Sequence, residues 1–322
     1  MIIRLGFVSH ALSLYEGTPA KALTFANYSK KPLTEAKEKL VEVTRKNLDT
    51  TKRIIHYCIA QQISVYRMSS SIVPLATHPE AKWDYVTPFK KEWQEIGQLV
   101  RDHSLRVSFH PNQFTLFTSP EEHVTQNALA DFDYHSTMLD AMGVEGVINI
   151  HIGGTYGDKQ ATLKRFYQQV TLLPSKQYKR MTLENDDKTY TMKETLETCQ
   201  KLKIPMVFDY HHHVCNPGDE VDKWQSLLPQ VFETWNHTNL RPKIHLSSPQ
   251  FALNEKGNSR KHADHVDPAF ATPILSALRE VGQDIDIMLE SKKKDLSLLI
   301  LMEEWSKIRG VKRIDGGTLF FP

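Results

Sequence analysis

Six times along this chain a short apolar run closes on a histidine or a carboxylate. The closing residues are His110, His151, Glu184, Asp209, His245 and Glu290. Each run has the length and the Val, Ile and Phe content of a buried strand. Two further runs, one at the N-terminus and one over residues 64–68, share that character, which makes eight. Between them lie segments with apolar residues at three-to-four spacing, near 33–58, 93–101, 124–142, 161–169, 192–202, 224–235, 269–281 and 296–308. Strands alternating with helices build parallel βαβ units, and eight such units argue for a closed (β/α)8 TIM barrel. In that architecture the C-terminal strand ends converge on one face. A chain of 322 residues with 15 histidines and 38 acids does not end six of eight strands on potential metal ligands by accident. A metal cluster on the C-terminal face follows.

The length would accommodate two average domains, but the unbroken alternation favours a single barrel domain over residues 1–322. The helix over 33–58 is expected to start with Thr34 as its N-cap. Beyond the last helix the chain reads as an irregular tail to Pro322. The net charge of +2 permits nucleic-acid binding through a local patch without arguing for it. Cys58, Cys199 and Cys215 are odd in number and far apart, so no disulfide framework is expected, and a reduced cytoplasmic setting fits. The first residues read as a strand rather than a signal peptide, and no apolar run has the length of a membrane span.

Imidazole and carboxylate together suit divalent ions such as Mn, Zn or Fe. Asp209 and His212 form a D-x-x-H pair where a strand ends, and the polar loop from Gly257 to His265 offers His262 or His265. Such a set exceeds what one catalytic ion needs and can hold two or three, with Glu184 as a bridge. Closely spaced metals stabilise the attacking and leaving oxygens of a displacement at phosphorus. Phosphodiester hydrolysis is therefore the favoured reaction. Arg67 and Ser69, at the end of the second strand, suit contacts with phosphate oxygens.

These residues, read together, resemble the UV damage endonuclease family, related to endonuclease IV and the xylose isomerase-like barrels. The matching segments include Tyr66-Arg67-Met68-Ser69-Ser70, His110-Pro111-Asn112-Gln113-Phe114, Asn149-Ile150-His151, Leu183-Glu184-Asn185-Asp186, Phe208-Asp209-Tyr210-His211-His212, Lys243-Ile244-His245-Leu246-Ser247-Ser248 and Leu289-Glu290. The resemblance implies a DNA repair endonuclease. It would bind UV-damaged double-stranded DNA and nick the backbone immediately 5′ of the photoproduct. It implies two or three divalent ions, Mn2+ before Zn2+, Co2+ or Mg2+. His110, His151 and Glu184 would hold one ion, and Glu184, Asp209, His245 and Glu290 a second. His212 and His262 would serve a third. Catalytic roles are implied for Glu184, for His78 near the metals and for Lys243, which the family can carry carboxylated. Gln113 and Phe114 would enter the duplex at the lesion, with Phe7 beside them; the family's usual pair is Gln-Tyr. No membrane and no obligate protein partner is implied.

Three other functions compete. An abasic-site endonuclease of the endonuclease IV type shares the reaction class and differs in lesion. A metal-dependent sugar isomerase needs only Glu184, Asp209, His245 and Glu290, and leaves His110, His151 and His212 unexplained. A non-enzymatic, metal-stabilised DNA-binding module would need a closed structural site, which is rarely so rich in ligands.

Overall fold

In the computed structural model, which describes residues 1–221, 223–251 and 258–322, eight parallel strands close on themselves. They are β1 (Ile2–Val8), β2 (Val65–Arg67), β3 (Arg106–Phe109), β4 (Gly146–His151), β5 (Met181–Glu184), β6 (Met206–Asp209), β7 (Lys243–Leu246) and β8 (Ile285–Leu289). Neighbours pair in sequence order, and β1 closes the ring by pairing with both β8 and β2. The helices between them are α1 (Leu33–Ala60), α2 (Lys90–Asp102), α3 (Glu122–Met142), α4 (Lys159–Gln169), α5 (Met192–Leu202), α6 (Trp224–Glu233), α7 (Pro268–Val281) and α8 (Lys294–Ser306). The chain is a TIM barrel, as its sequence pattern predicts. Gly257 of the loop after β7 lies outside the described residues.

Local chemistry sets the boundaries. α5 opens with a capping box: Thr191 accepts from the Glu194 backbone, and the Glu194 side chain accepts from Thr191 N at 2.9 Å. Its limits are those the periodicity predicts. α1 differs from expectation at its start. It begins at Leu33, and Pro32 occupies the N-cap with no side-chain bond. Thr34 is inside the first turn because Pro32 already has the extended backbone a cap requires. Gly153, two residues past β4, has φ +115, a conformation that only glycine adopts without strain.

The tail is more ordered than expected. β9 (Lys312–Arg313) and β10 (Thr318–Phe320) form a hairpin, and β10 runs antiparallel to β1 from Ile2 to Arg4. β2 pairs only with Gly6 to Val8, so the first half of β1 would otherwise expose an open edge.

The barrel floor is charged, and its one carboxylate is fully met by two guanidiniums. Arg4 of β1 donates twice to Asp286 of β8, from Nε to Oδ1 and from Nη2 to Oδ2, both at 2.6 Å. Arg106 of β3 adds a 2.7 Å bond from Nη1 to Asp286 Oδ2. The Arg106 guanidinium also lies 5.1 Å over the Trp235 ring. Above this layer Lys243 of β7 is buried and donates to Ser108 Oγ at 3.0 Å.

Candidate metal centre

At the other end of the barrel the strand ends bring the ligand candidates together. Glu184 closes β5, is fully buried and sits at the centre. His110 Nε2 lies 3.2 Å from Glu184 Oε2, His245 Nδ1 lies 3.1 Å from the same oxygen, and His212 Nδ1 is 3.2 Å from Oε1. His245 Nδ1 also stands 3.0 Å from Glu290 Oε1. Three groups have donor atoms within 4.8 Å of one another: His110, His151 and Glu184; Glu184, Asp209 and His212; Glu184, His245 and Glu290. Glu184 belongs to all three.

The surrounding structure orients these side chains. His110 Nδ1 is 2.9 Å from the Pro111 carbonyl, which can only accept. That nitrogen carries the proton, and Nε2 is bare toward Glu184. His212 differs in that one nitrogen, Nδ1, meets both the Asn185 carbonyl at 3.0 Å and Glu184 Oε1 at 3.2 Å, two acceptors that require a proton there. Asp209 caps the short helix Tyr210–Cys215 by accepting from His212 N at 2.7 Å, which turns His212 back over the barrel. Asn185 and Asp209 exchange two bonds of 2.9 Å, side chain to backbone. Asn149, two residues before His151 on β4, donates from Nδ2 to Glu184 and accepts from Thr182 Oγ1 at 2.8 Å. Asn149 and Asn185 lie within the motif-bearing segments, but only the fold reveals what they touch.

The electrostatics are those of a site awaiting cations. Burial pushes the Glu184 carboxyl up, yet His245, His151, His110 and His212 overcome it and hold the group well below the usual glutamate range. Burial likewise opposes ionisation of Glu290, and Arg67 and His245 reverse the sign. Burial lowers His245, and the charges of Glu184 and Glu290 more than restore it. Three buried atoms, Asp209 Oδ2, His151 Nδ1 and His245 Nε2, have no hydrogen-bond partner among the described residues, and Glu184 Oε1 and His245 Nδ1 meet only other members of the cluster. Buried polar atoms left bare are costly. Oxygen and nitrogen donors bared in one place are what divalent ions require, so the residues fit the metal the sequence implies.

Other expected site residues fall elsewhere. Phe7 is fully buried and packs at 5.2 Å from the Tyr66 ring, so it is a core residue and not a DNA contact. It is the last residue but one of β1, in register with Leu289, and its side chain is on the packed side. Ser69 is buried and accepts from Ser71 N at 3.1 Å, closing a turn instead of meeting phosphate. Arg67 is paired with Glu290, one of the ligand candidates. His78 joins none of the three groups: its ring stacks 3.9 Å from Phe25, and Nδ1 accepts from Glu80 N at 3.3 Å. His262 comes within 6.3 Å of the His212 ring, outside the three groups, as is His265. Gln113 and Phe114 are exposed at the tip of the loop that follows His110, Phe114 at 70%. An Asn112 side chain accepting from Phe114 N at 2.8 Å shapes that tip.

Comparison with known proteins gives the arrangement its context. A UV DNA damage endonuclease from Bacillus pumilus (strain SAFR-032) is 55% identical over 321 residues, covering 99% of both chains. The crystal structure of SacUVDE superposes with a TM-score of 0.82 at 29% identity, over 95% of this chain and all of that one. Endonuclease IV from Thermus thermophilus shares the fold, with a TM-score of 0.58 at 11% identity over 94% of this chain and 98% of that one. The family model for UV-endonuclease UvdE matches residues 3–322. The chain belongs to the UV-endonuclease UvdE family.

Proposed function

We propose that this protein is a UV DNA damage endonuclease that nicks double-stranded DNA immediately 5′ of a photoproduct by multi-metal-assisted hydrolysis. The observation that carries this reading is the sharing of one buried carboxylate, Glu184, among three ligand groups at the open end of the barrel. A sugar isomerase needs one ion and would not use His110, His151 and His212 together. In this reading His110, His151, Glu184, Asp209, His212, His245 and Glu290 hold two or three divalent ions, with Mn2+ favoured, and His262 assists from the loop after β7. When bound, such ions lower the pKa of a coordinated water and neutralise charge on the phosphoryl oxygens.

The chain's own residues orient and discriminate. Glu184 would be shared between ions, and Asn149 holds it in place. Arg67, paired with Glu290, places a cation beside the phosphate position without reaching into solvent. Burial, then the charges of Arg106 and Arg67, pushes the Lys243 amine well below the usual lysine range. An uncharged amine is the form that adds carbon dioxide, so Lys243 is chemically suited to carboxylation. Gln113 and Phe114 read the lesion: an exposed aromatic ring replaces lost stacking when bases leave the duplex. No helix among the described residues is long and apolar enough to cross a membrane. The free thiols of Cys58, Cys199 and Cys215 suit a reducing, cytoplasmic setting.

The test is a duplex oligonucleotide carrying one photoproduct and labelled at either end. Incision at the phosphodiester directly 5′ of the lesion is expected. Cleavage of an abasic duplex with the photoproduct left intact would transfer the assignment to the endonuclease IV type of activity.

A further inference from the structure

His211 is the buried first imidazole of the His211-His212-His213 run, and the metal groups leave it out. It takes part instead in a chain of three hydrogen bonds. His211 Nε2 lies 2.7 Å from the Ser259 carbonyl, and His211 Nδ1 lies 2.9 Å from Ser247 Oγ. The same Ser247 Oγ lies 2.7 Å from His262 Nδ1. Ser247 is fully buried on the segment that leaves β7 two residues past His245.

With both imidazoles in their neutral form, donor accounting fixes every proton in that chain. A carbonyl only accepts, so His211 carries its proton on Nε2. The neutral ring then presents Nδ1 as an acceptor, and the only proton Ser247 can offer is its hydroxyl hydrogen. With that hydrogen committed to His211, Ser247 Oγ can only accept from His262. His262 must therefore be protonated on Nδ1 and bare on Nε2.

We infer that Ser247 and His211 are positioning residues that set the tautomer of His262, so that its Nε2 is the nitrogen available to a divalent ion. Metal-binding histidines have this arrangement when their second nitrogen is tied to an acceptor, and His110 and His212 already use backbone carbonyls for it. At His262 a serine does the work, and a hydroxyl by itself would be ambiguous between donor and acceptor. His211 removes the ambiguity. The ring also packs edge-on to His262, with centroids 5.3 Å apart, so one residue sets both proton and orientation. The inference rests on the proposed metal reading for the role of the bare nitrogen, but the proton positions do not depend on it.

Long-range nitrogen–proton correlation spectra of the metal-free, full-length protein with labelled histidine test it at neutral pH. The expected result is His262 protonated on Nδ1 alone and His211 on Nε2 alone. His262 protonated on Nε2, or His211 protonated on both nitrogens, overturns the inference. Two variants probe causation, with circular dichroism and melting as folding controls. His211→Phe keeps ring volume but removes the fixed donor and acceptor, and should leave His262 in a mixture of tautomers. His211→Gln keeps a donor and an acceptor and should restore the single form. A single Nδ1-protonated form retained in His211→Phe contradicts the role given to His211. Adding Zn2+ separates the two readings. A shift at His262 Nε2 in step with His110 and His245 supports both. A bare Nε2 that stays unmoved while those two respond removes His262 from the metal site and leaves the hydrogen-bond chain intact.

Discussion

The barrel carries two buried charge clusters, one at each end, and they are built on opposite rules. On the floor, Asp286 receives three charged hydrogen bonds from Arg4 and Arg106, so the carboxylate is matched within the protein. At the C-terminal face, Asp209, His151 and His245 keep ligand atoms that nothing in the described chain satisfies. Both clusters would pass as buried ion networks if only charge were counted. The difference lies in accounting. On the floor the one carboxylate is fully met and what is left over is N–H, on Arg106 Nε and Nη2, which cannot bind a cation; at the open face what is left over is carboxylate oxygen and ring nitrogen, which can. Breaking one should cost stability, and breaking the other should cost chemistry.

The largest effect is expected at the centre of the open cluster. Glu184→Gln should abolish incision of UV-damaged DNA while leaving DNA affinity largely intact, because phosphate contacts spread over the surface dominate binding. Single-turnover incision and salt-matched binding assays check this together. Wild-type incision by that variant would sink the bridging role. Divalent metal should also raise the melting temperature of the wild type by preferential binding to the folded state, and Glu184→Gln should lose most of that increment.

The closed cluster should behave the other way. Removing Asp286 strands the buried guanidinium of Arg106 and the half-buried one of Arg4, and breaking a buried pair from one side typically costs about 3–5 kcal/mol. Asp286→Asn should therefore lower denaturant stability strongly, yet retain the full metal complement and the metal-induced rise in melting temperature. Lost metal in a folded Asp286→Asn protein would mean the two ends are coupled. Acid titration sharpens the point. Burial alone would raise the Asp286 pKa, but Arg4 and Arg106 outweigh it and hold the group below the usual aspartate range. A carboxyl lowered on folding adds stability above its unfolded pKa, about 3.9, and loses it as pH falls through the folded value. The acid limb of the stability curve should be shallower in Asp286→Asn, and an unchanged limb would show the triad contributes nothing there.

The smallest effect is expected beyond both clusters, at the exposed loop tip. Stacking of a base on an aromatic ring is worth about 1–3 kcal/mol. Phe114→Ala should therefore slow incision about tenfold if that stacking is made in the transition state. Paired with Gln113→Ala, it should hit an intact duplex bearing a photoproduct hardest, and a duplex already unpaired at the lesion far less. Metal content and melting temperature should stay at wild-type values. Equal losses on the two substrates would show that the pair does not open the helix.

The open cluster was legible in the sequence because the barrel turns it into punctuation: His110, His151, Glu184, Asp209 and Glu290 are the last residue of a strand or the first after it, and His245 is the last but one of β7. That local mark survives without knowledge of the fold. The floor triad leaves no such mark, since Arg4, Arg106 and Asp286 belong to β1, β3 and β8 and meet only when the barrel closes. Phe7 shows the limit from the other side. An aromatic near a strand's end reads alike whether it packs in the core or faces a ligand, and the packing around Tyr57 and Tyr66 decides for the core. His78 belongs to a loop whose path the sequence does not encode, and stacking on Phe25 draws it aside. The β9–β10 hairpin escaped notice because strands of two and three residues carry no periodicity.

The measurement that bears most directly on the open cluster uses supercoiled plasmid, irradiated or untreated, incubated with protein stripped of metal and then resupplied. Nicks should accumulate on the irradiated plasmid alone, only after a divalent ion is restored, and faster with manganese than with magnesium. Full incision in excess chelator, with metal analysis confirming the stripped state, would contradict a metal role for the open cluster.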